Sequence, residues 1–441
     1  MTAELFKTKR CSVAGQAGRY LAGLTSGAAR KNMERMDEHQ SPDRQDYEGM
    51  QHFLSNSPWD ASGVFDWVAK AADGRLGGRP ESLLVIDESA VSKKGEASAG
   101  VGRQYNGRLG KVDNCQAGVF AVLNCGAHSA LIDAELYLPE EWIGNPERCK
   151  KAGIPEQRQV FRTKIDMARA QIQRACTRGV RFACVAFDAF YGRDQGLLDW
   201  IDQQGLTYCA DVPSNAYVFT TKPMQQDRPE KMTQSAKKAE VVAKTLRAKP
   251  KKAHNIILRE GENGIVEAKV WATRVWVWPE KADHPSACWL IVRECDDGTQ
   301  KISLSNAPKE TQVKRLAFWQ AGRFYAERAF ADGKSHVGMA SYQARGWTAW
   351  QHHMAMVALA LFFIMEERML LGASHPLISA RDIVELLDWY VRGPRTEDQV
   401  LQAFENRQRR RERKALIAQK RKRKKLGMPE IKKLQTSTLP K

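Results

Sequence analysis

LLVID, residues 83–87, is a run of four apolar side chains closed by an aspartate. Its length and composition read as a β-strand, and the acid marks the place where that strand leaves the core. Downstream, a glycine-rich basic loop leads to QAGVFAVLNC (116–125) and ALIDAELYLP (130–139), which read as two further strands. KIDMARAQIQRAC (164–176) then has helical spacing, and RFACVAFD (181–188) is a second apolar run ending in an acid. GLLDWIDQQG and LTYCADVP follow as helix and strand. Three successive strands and then alternating helix and strand predict a mixed α/β sheet, not a fully parallel doubly wound one.

Outward from this block the texture changes on both sides. Residues 1–80 are read as an α-helical region of several short helices, punctuated at 56–58 and 77–80. Residues 214–305 are read as a β-rich insertion, because a Lys-, Gln- and Pro-rich stretch gives way to IILREG, GIVEAKVWATRVWVW and ACWLIVREC. The α/β pattern resumes over 306–400, and 401–441 is a basic tail too charged to bury a face.

The whole chain of 441 residues carries 69 Lys and Arg against 51 Asp and Glu, a net charge of +18. Residues 405–441 hold 15 basic and 3 acidic residues, so +12 of that excess lies at the C-terminal end and the body is only mildly basic. Such a balance favours a polyanionic partner. The nine cysteines form no C-x-x-C pair, which leaves a zinc module without support, and a reducing compartment suits them. MAMVALALFFIM (354–365) is too short to cross a bilayer and reads as a buried helix, so no membrane partner is expected.

Asp87 and Asp188, each at the end of an apolar strand, stand where ligand-binding groups collect in α/β sheets, although a lone aspartate there can equally be a turn or helix cap. RFYAERAFADGK (323–334) adds a third acid. Offsets of four and seven bring Arg323, Glu327 and Lys334 to one side of a helix, where they form either a surface ion-pair ladder or part of a site. Three carboxylates from two strands and a helix suit Mg²⁺, which prefers oxygen ligands, and a pair of such ions activates phosphodiester chemistry. Lys334 would then reach a DNA phosphate, and Arg323 would orient Glu327 or contact DNA.

Here the residues resemble a known family. Arg323, Glu327 and Lys334 fit an R-(3)-E-(6)-K spacing similar to the C-terminal signature of bacterial insertion-sequence transposases of the DDE class. The full signature has a tyrosine where this chain has Gln320. LLVIDESAVSKKG, GVGRQYNGRLGKVDNCQAGVFAVL, VAFDAFYG and YQARGWTAWQHHMAMVALALFF resemble, in order, the catalytic blocks of the branch named after insertion sequence seven-hundred-one. The resemblance implies an RNase H-like catalytic domain, interrupted by the β-rich insertion, with Asp87, Asp188 and Glu327 as the metal-binding triad and Glu88 as the competitor for the first place. It further implies two Mg²⁺ ions, with Mn²⁺ as a substitute, and double-stranded element ends and target DNA as partners. The reaction would be cleavage at the element ends followed by attack of the freed 3′-hydroxyl on target DNA. A homodimer in a synaptic complex and a bacterial cytoplasmic, nucleoid-associated location follow from the same likeness. The rival expectations are a transposase-derived DNA-binding protein without catalysis, and a nuclease that only hydrolyses.

Other DNA contacts are expected from Lys93, Lys94, Arg103, Arg108 and Lys111 in the glycine-rich loop, whose bland alternative is a flexible hairpin. Trp276 and Trp278 could stack on an unpaired base or pack in the core. The tail runs containing Arg409, Arg410, Arg411, Lys420, Arg421, Lys422 and Arg423 would bind phosphates with little sequence preference, though an import signal or a solubilising appendage would look the same.

Overall fold

The computed structural model describes residues 3–393 except 9–10, 42–46, 108, 225–235, 262–263, 279–281, 283, 296–297 and 376–377; beyond 393 it describes only 396, 398, 413, 417, 420 and 424. Four helices open the chain: α1 (Ala14–Leu24), α2 (Met33–Gln40), α3 (Tyr47–Ser55) and α4 (Ala61–Leu76). Then come β1 (Ser82–Ser92), β2 (Gly102–Asn106), β3 (Lys111–Cys125) and β4 (His128–Leu136), followed by α5 (Glu140–Ile143), α6 (Pro146–Lys151) and α7 (Lys164–Thr177). β5 (Cys184–Phe187), α8 (Ala189–Gly192), α9 (Gln195–Gln203) and β6 (Tyr208–Asp211) complete the alternating section.

β1 pairs antiparallel with β3 and parallel with β5, and β5 is parallel to β6. With β4 antiparallel on the far side of β3, the order is β4-β3-β1-β5-β6. This is the mixed sheet that the strand-strand-strand-helix-strand reading led to, in the RNase H-like arrangement that the family resemblance implied. The glycine-rich loop is more ordered than expected, since β2 pairs with the start of β3.

The next section holds β7 (Tyr217–Val218), β8 (Lys237–Lys238), α10 (Ala239–Arg247), β9 (His254–Gly261), β10 (Gly264–Val277), β11 (Ser286–Cys295) and β12 (Gln300–Ser305). β12 pairs antiparallel with β6, and β11, β10 and β9 follow outward, so these strands prolong one 10-stranded sheet. Three helices follow: α11 (Val313–His336), α12 (Trp347–Leu371) and α13 (Ala380–Arg392).

Residues 354–362 of α12 are apolar and buried without a break, and α1, α3, α4 and β4 all pack on this helix. No helix among the described residues is long and apolar enough to cross a membrane. His352 and His353 tie α12 to the helices before it: His352 lies within hydrogen-bonding distance of the Leu54 and Trp59 carbonyls, and His353 of the Tyr20 hydroxyl. α11 crosses the sheet on the face opposite α7, and Gly322 is the point of closest approach. A Cβ there would lie 2.2 Å from Leu83 Cδ1, so only glycine lets α11 sit this close to β1.

Candidate active site

Alternation along β1 decides which acid faces which helix. Asp87 points to the α11 side, where its Oδ2 is 3.3 Å from a guanidinium nitrogen of Arg323. Glu88 is ion-paired with Lys164 at the start of α7, and it too lines the cleft that holds Asp87. Asp188 follows directly on β5, the strand beside β1, and serves as the N-cap of α8: its Oδ1 accepts from the backbone N–H groups of Phe190 (2.9 Å) and Tyr191 (3.3 Å). The helix-cap reading of this aspartate is therefore correct, and the same residue also lines the cleft beside Asp87.

Glu327 is exposed on α11 one turn after Arg323, and its Oε1 is 2.7 Å from Arg323 Nη2. Lys334 donates to the Ala90 carbonyl at 3.2 Å, which fixes it above the end of β1. Asp87, Asp188, Glu327, Arg323 and Lys334 all line one cleft of about 730 Å³. The Arg323–Glu327 ion pair of the ladder is thus present, and its arginine also reaches into the sheet to Asp87.

Arg323 is the centre of the cluster. Burial works against its charge, yet Glu327, Asp87, Asp211 and Asp188 together outweigh that and raise its pKa. The carboxyl of Asp87, only 8% exposed, is pushed up to about 7, chiefly by desolvation; Arg323 opposes the rise, and Asp188 and Glu327 add to it. Among the described residues no three His, Cys, Asp or Glu side chains converge closely enough to hold a metal ion as they stand. The guanidinium occupies the space between them and acts as the cluster's cation.

Asp211, at the end of β6, was not singled out in the sequence, although YCAD repeats the apolar-run-then-acid pattern of LLVID and VAFD. It is 9% exposed, accepts from Ser303 Oγ at 2.5 Å and lies 3.8 Å from Arg323 Nε. A second cleft of about 730 Å³ shares Asp188 and Arg323 with the first and extends past Asp211 to Lys244 and Lys301.

The remaining expected contacts are placed unevenly. Lys94, Arg103 and Lys111 are exposed. Lys93 is folded inward, its ammonium 3.7 Å from the centroid of the Tyr342 ring and burial pushing its pKa down to about 8. Trp278 is buried and its indole donates to the Ala282 carbonyl, so neither ring face is open to a base. Trp276 is half-buried beside Lys222. The two rings differ because β10 ends at Val277, and the strand alternation stops before Trp278. Arg108, Arg409, Arg410, Arg411, Arg421, Lys422 and Arg423 lie outside the described residues, while Lys420 is half-buried. Arg413 is paired with Glu34 of α2 at 2.6 Å.

An RNase H-like sheet with carboxylates at neighbouring strand ends, faced by a helix that brings a third, is the scaffold of a DDE-type nuclease. The family model described as DDE superfamily endonuclease matches residues 5–272, and the chain belongs to that family. Glu327 lies beyond the matched residues. The probable transposase for insertion sequence element IS701 from Microchaete diplosiphon is similar, with 32% identity over 209 residues, 46% of this chain and 50% of that protein. The chain thus spans about half the length of that curated relative.

Proposed function

We propose that this protein is a DNA transposase that cuts the ends of an insertion sequence and joins the resulting 3′-hydroxyl to target DNA, using Mg²⁺ held by Asp87, Asp188 and Glu327. The observation that carries the reading is the meeting of these three carboxylates with Arg323 and Lys334 in one cleft, in a chain of the DDE endonuclease family. The donor set suits a hard cation: every candidate ligand atom is a carboxylate oxygen, and Asp87 stands in a desolvated wall where its charge is costly without a cation beside it. Arg323 now fills that role, so ion binding requires Glu327 and Asp87 to exchange the guanidinium for the metal.

When bound, two such ions would polarise the scissile phosphodiester, activate the attacking hydroxyl and steady the leaving oxygen. The chain's own groups do the positioning. Asp188 is anchored through Oδ1 to the start of α8, which leaves Oδ2 for a ligand. Lys334, at the rim two turns beyond Glu327, takes a backbone phosphate and sets the strand in register with the acids. The strand would continue past Asp188 into the second cleft, where Lys244 and Lys301 supply further positive charge. Residues 214–305 act as the insertion that builds this second wall, and residues 1–80 and the basic tail hold flanking DNA. Acting on paired element ends calls for two copies of the chain in a synaptic dimer.

The test offers element-end DNA and Mg²⁺ to the parent protein and to Asp87→Asn, Asp188→Asn and Glu327→Gln. Each substitution should reduce strand cleavage at least a hundredfold, and cleavage at the parent rate in any one removes that residue from the triad. A joining assay with labelled target distinguishes transposition from hydrolysis alone.

A further inference from the structure

The carboxylates of the proposed triad have a neighbour with no place in it. Asp211 closes β6 and lies 3.8 Å from Arg323 Nε, while two other nitrogens of the same guanidinium reach Asp87 and Glu327. Its own position is fixed from behind. Ser303 of β12, directly opposite in the antiparallel register, donates to Asp211 Oδ1, and Gln320 donates to Ser303 Oγ at 2.7 Å. Gln320 lies one turn before Arg323 on α11, so the chain of contacts leaves the helix at 320, crosses two strands and returns to the helix at 323. Asp211's backbone is clamped as well: a Cβ on Gly192 would lie 1.9 Å from its carbonyl oxygen. Gly192 ends α8, the helix capped by Asp188, so the mounts of Asp188 and Asp211 are one unit.

We propose that Asp211 is a positioning residue that retains Arg323 when a divalent cation enters. Of the carboxylates around the guanidinium, Asp87 and Glu327 are those that must turn to a metal, and Asp211, held by Ser303 and Gln320, is the one that stays. With Asp211 in place, Arg323 keeps a buried partner after releasing the other two. Without it, Arg323 would be left as a poorly compensated buried cation if it released them, and it therefore competes with the metal for Asp87 and Glu327. Gln320, where the resembling transposases have tyrosine, belongs to this mount: its amide both fills the buried site and donates to Ser303.

The inference rests on the reading of the cleft as a cation site, and the experiment separates the two. Mn²⁺ binding to the full-length protein without DNA is measured by calorimetry for the parent, Asp211→Asn, Arg323→Gln and the double variant. Asp211→Asn should weaken Mn²⁺ binding about tenfold, the scale of a supporting-residue effect. The same change in the Arg323→Gln background should have almost no effect, since the competitor is gone. An equal loss in both backgrounds would mean that Asp211 acts merely as a negative charge near the ion, and an unchanged affinity in the folded single variant would also overturn the proposal. Absence of Mn²⁺ binding by the parent would instead overturn the cation site itself. Should Asp211→Asn fail to fold, Ser303→Ala keeps the charge but loosens its mount, and about a threefold weakening that vanishes with Arg323→Gln is the expected result, with no weakening overturning the proposal.

Discussion

Asp87→Asn should make the metal-free protein more stable at pH 8 and clearly less so at pH 5. The carboxyl is pushed up to about 7 from an ordinary 3.8, with desolvation the main cause. A carboxyl whose pKa is higher folded than unfolded is more protonated in the folded state, so stability falls as pH rises through this window and levels off above the folded value. The difference of about 3 units, at about 1.4 kcal/mol each, sets a ceiling of about 4 kcal/mol for the destabilisation at pH 8 that asparagine removes. At pH 5 only about 1.2 units of that window have been crossed, so the ceiling there is about 1.7 kcal/mol. The assay is chemical unfolding followed by tryptophan fluorescence in a chelator, parent against variant, at both pH values. Equal stability differences at pH 5 and pH 8, or a loss of stability at pH 8, would refute the claim that Asp87 is a desolvated, under-compensated acid. The corollary concerns the metal: below about pH 7 a proton competes for Asp87, so divalent-cation affinity should fall with pH and binding should release a proton.

Three further outcomes follow from the geometry. Gly322→Ala places a methyl group against Leu83 and pushes α11 off β1, which should cost about 1–3 kcal/mol of stability and weaken Mn²⁺ binding, read by thermal melting with and without the ion. Trp278→Ala should cost about 3–5 kcal/mol because the ring is buried, whereas Trp276→Ala should cost clearly less; equal losses would contradict the burial difference between them. Lys334→Ala should lower the slope of log affinity against log salt for duplex DNA by about 0.9, one phosphate contact, and an unchanged slope would remove Lys334 from the interface.

How much of this was legible in the sequence depends on whether the signal was local. LLVID and VAFD announced two strands and two acids because an apolar run of β length ended by a carboxylate is a pattern within a few residues. The four- and seven-residue offsets in RFYAERAFADGK placed Arg323, Glu327 and Lys334 on one helix side, as the shared cleft bears out. What local pattern does not carry is which elements meet. The strands after residue 214 read as a β-rich insertion, but their pattern does not show that β12 pairs with β6 and continues the sheet, a contact between segments about ninety residues apart. Arg323's reach to Asp87 and Asp211 was hidden for the same reason. Asp211 itself was visible as a pattern and passed over, since LTYCADVP was read only as a strand. The pairing of Trp276 with Trp278 on one face assumed a strand running through 278, and the strand ends a residue earlier.

The proposed chemistry requires a cation to replace a guanidinium among three carboxylates. Anomalous diffraction from crystals grown with Mn²⁺ tests this directly. The predicted result is manganese density between Asp87 and Asp188, with Glu327 turned away from Arg323 toward the ion and Arg323 still beside Asp211. Density only at other sites, or Glu327 still paired with Arg323 at saturating Mn²⁺, would contradict it.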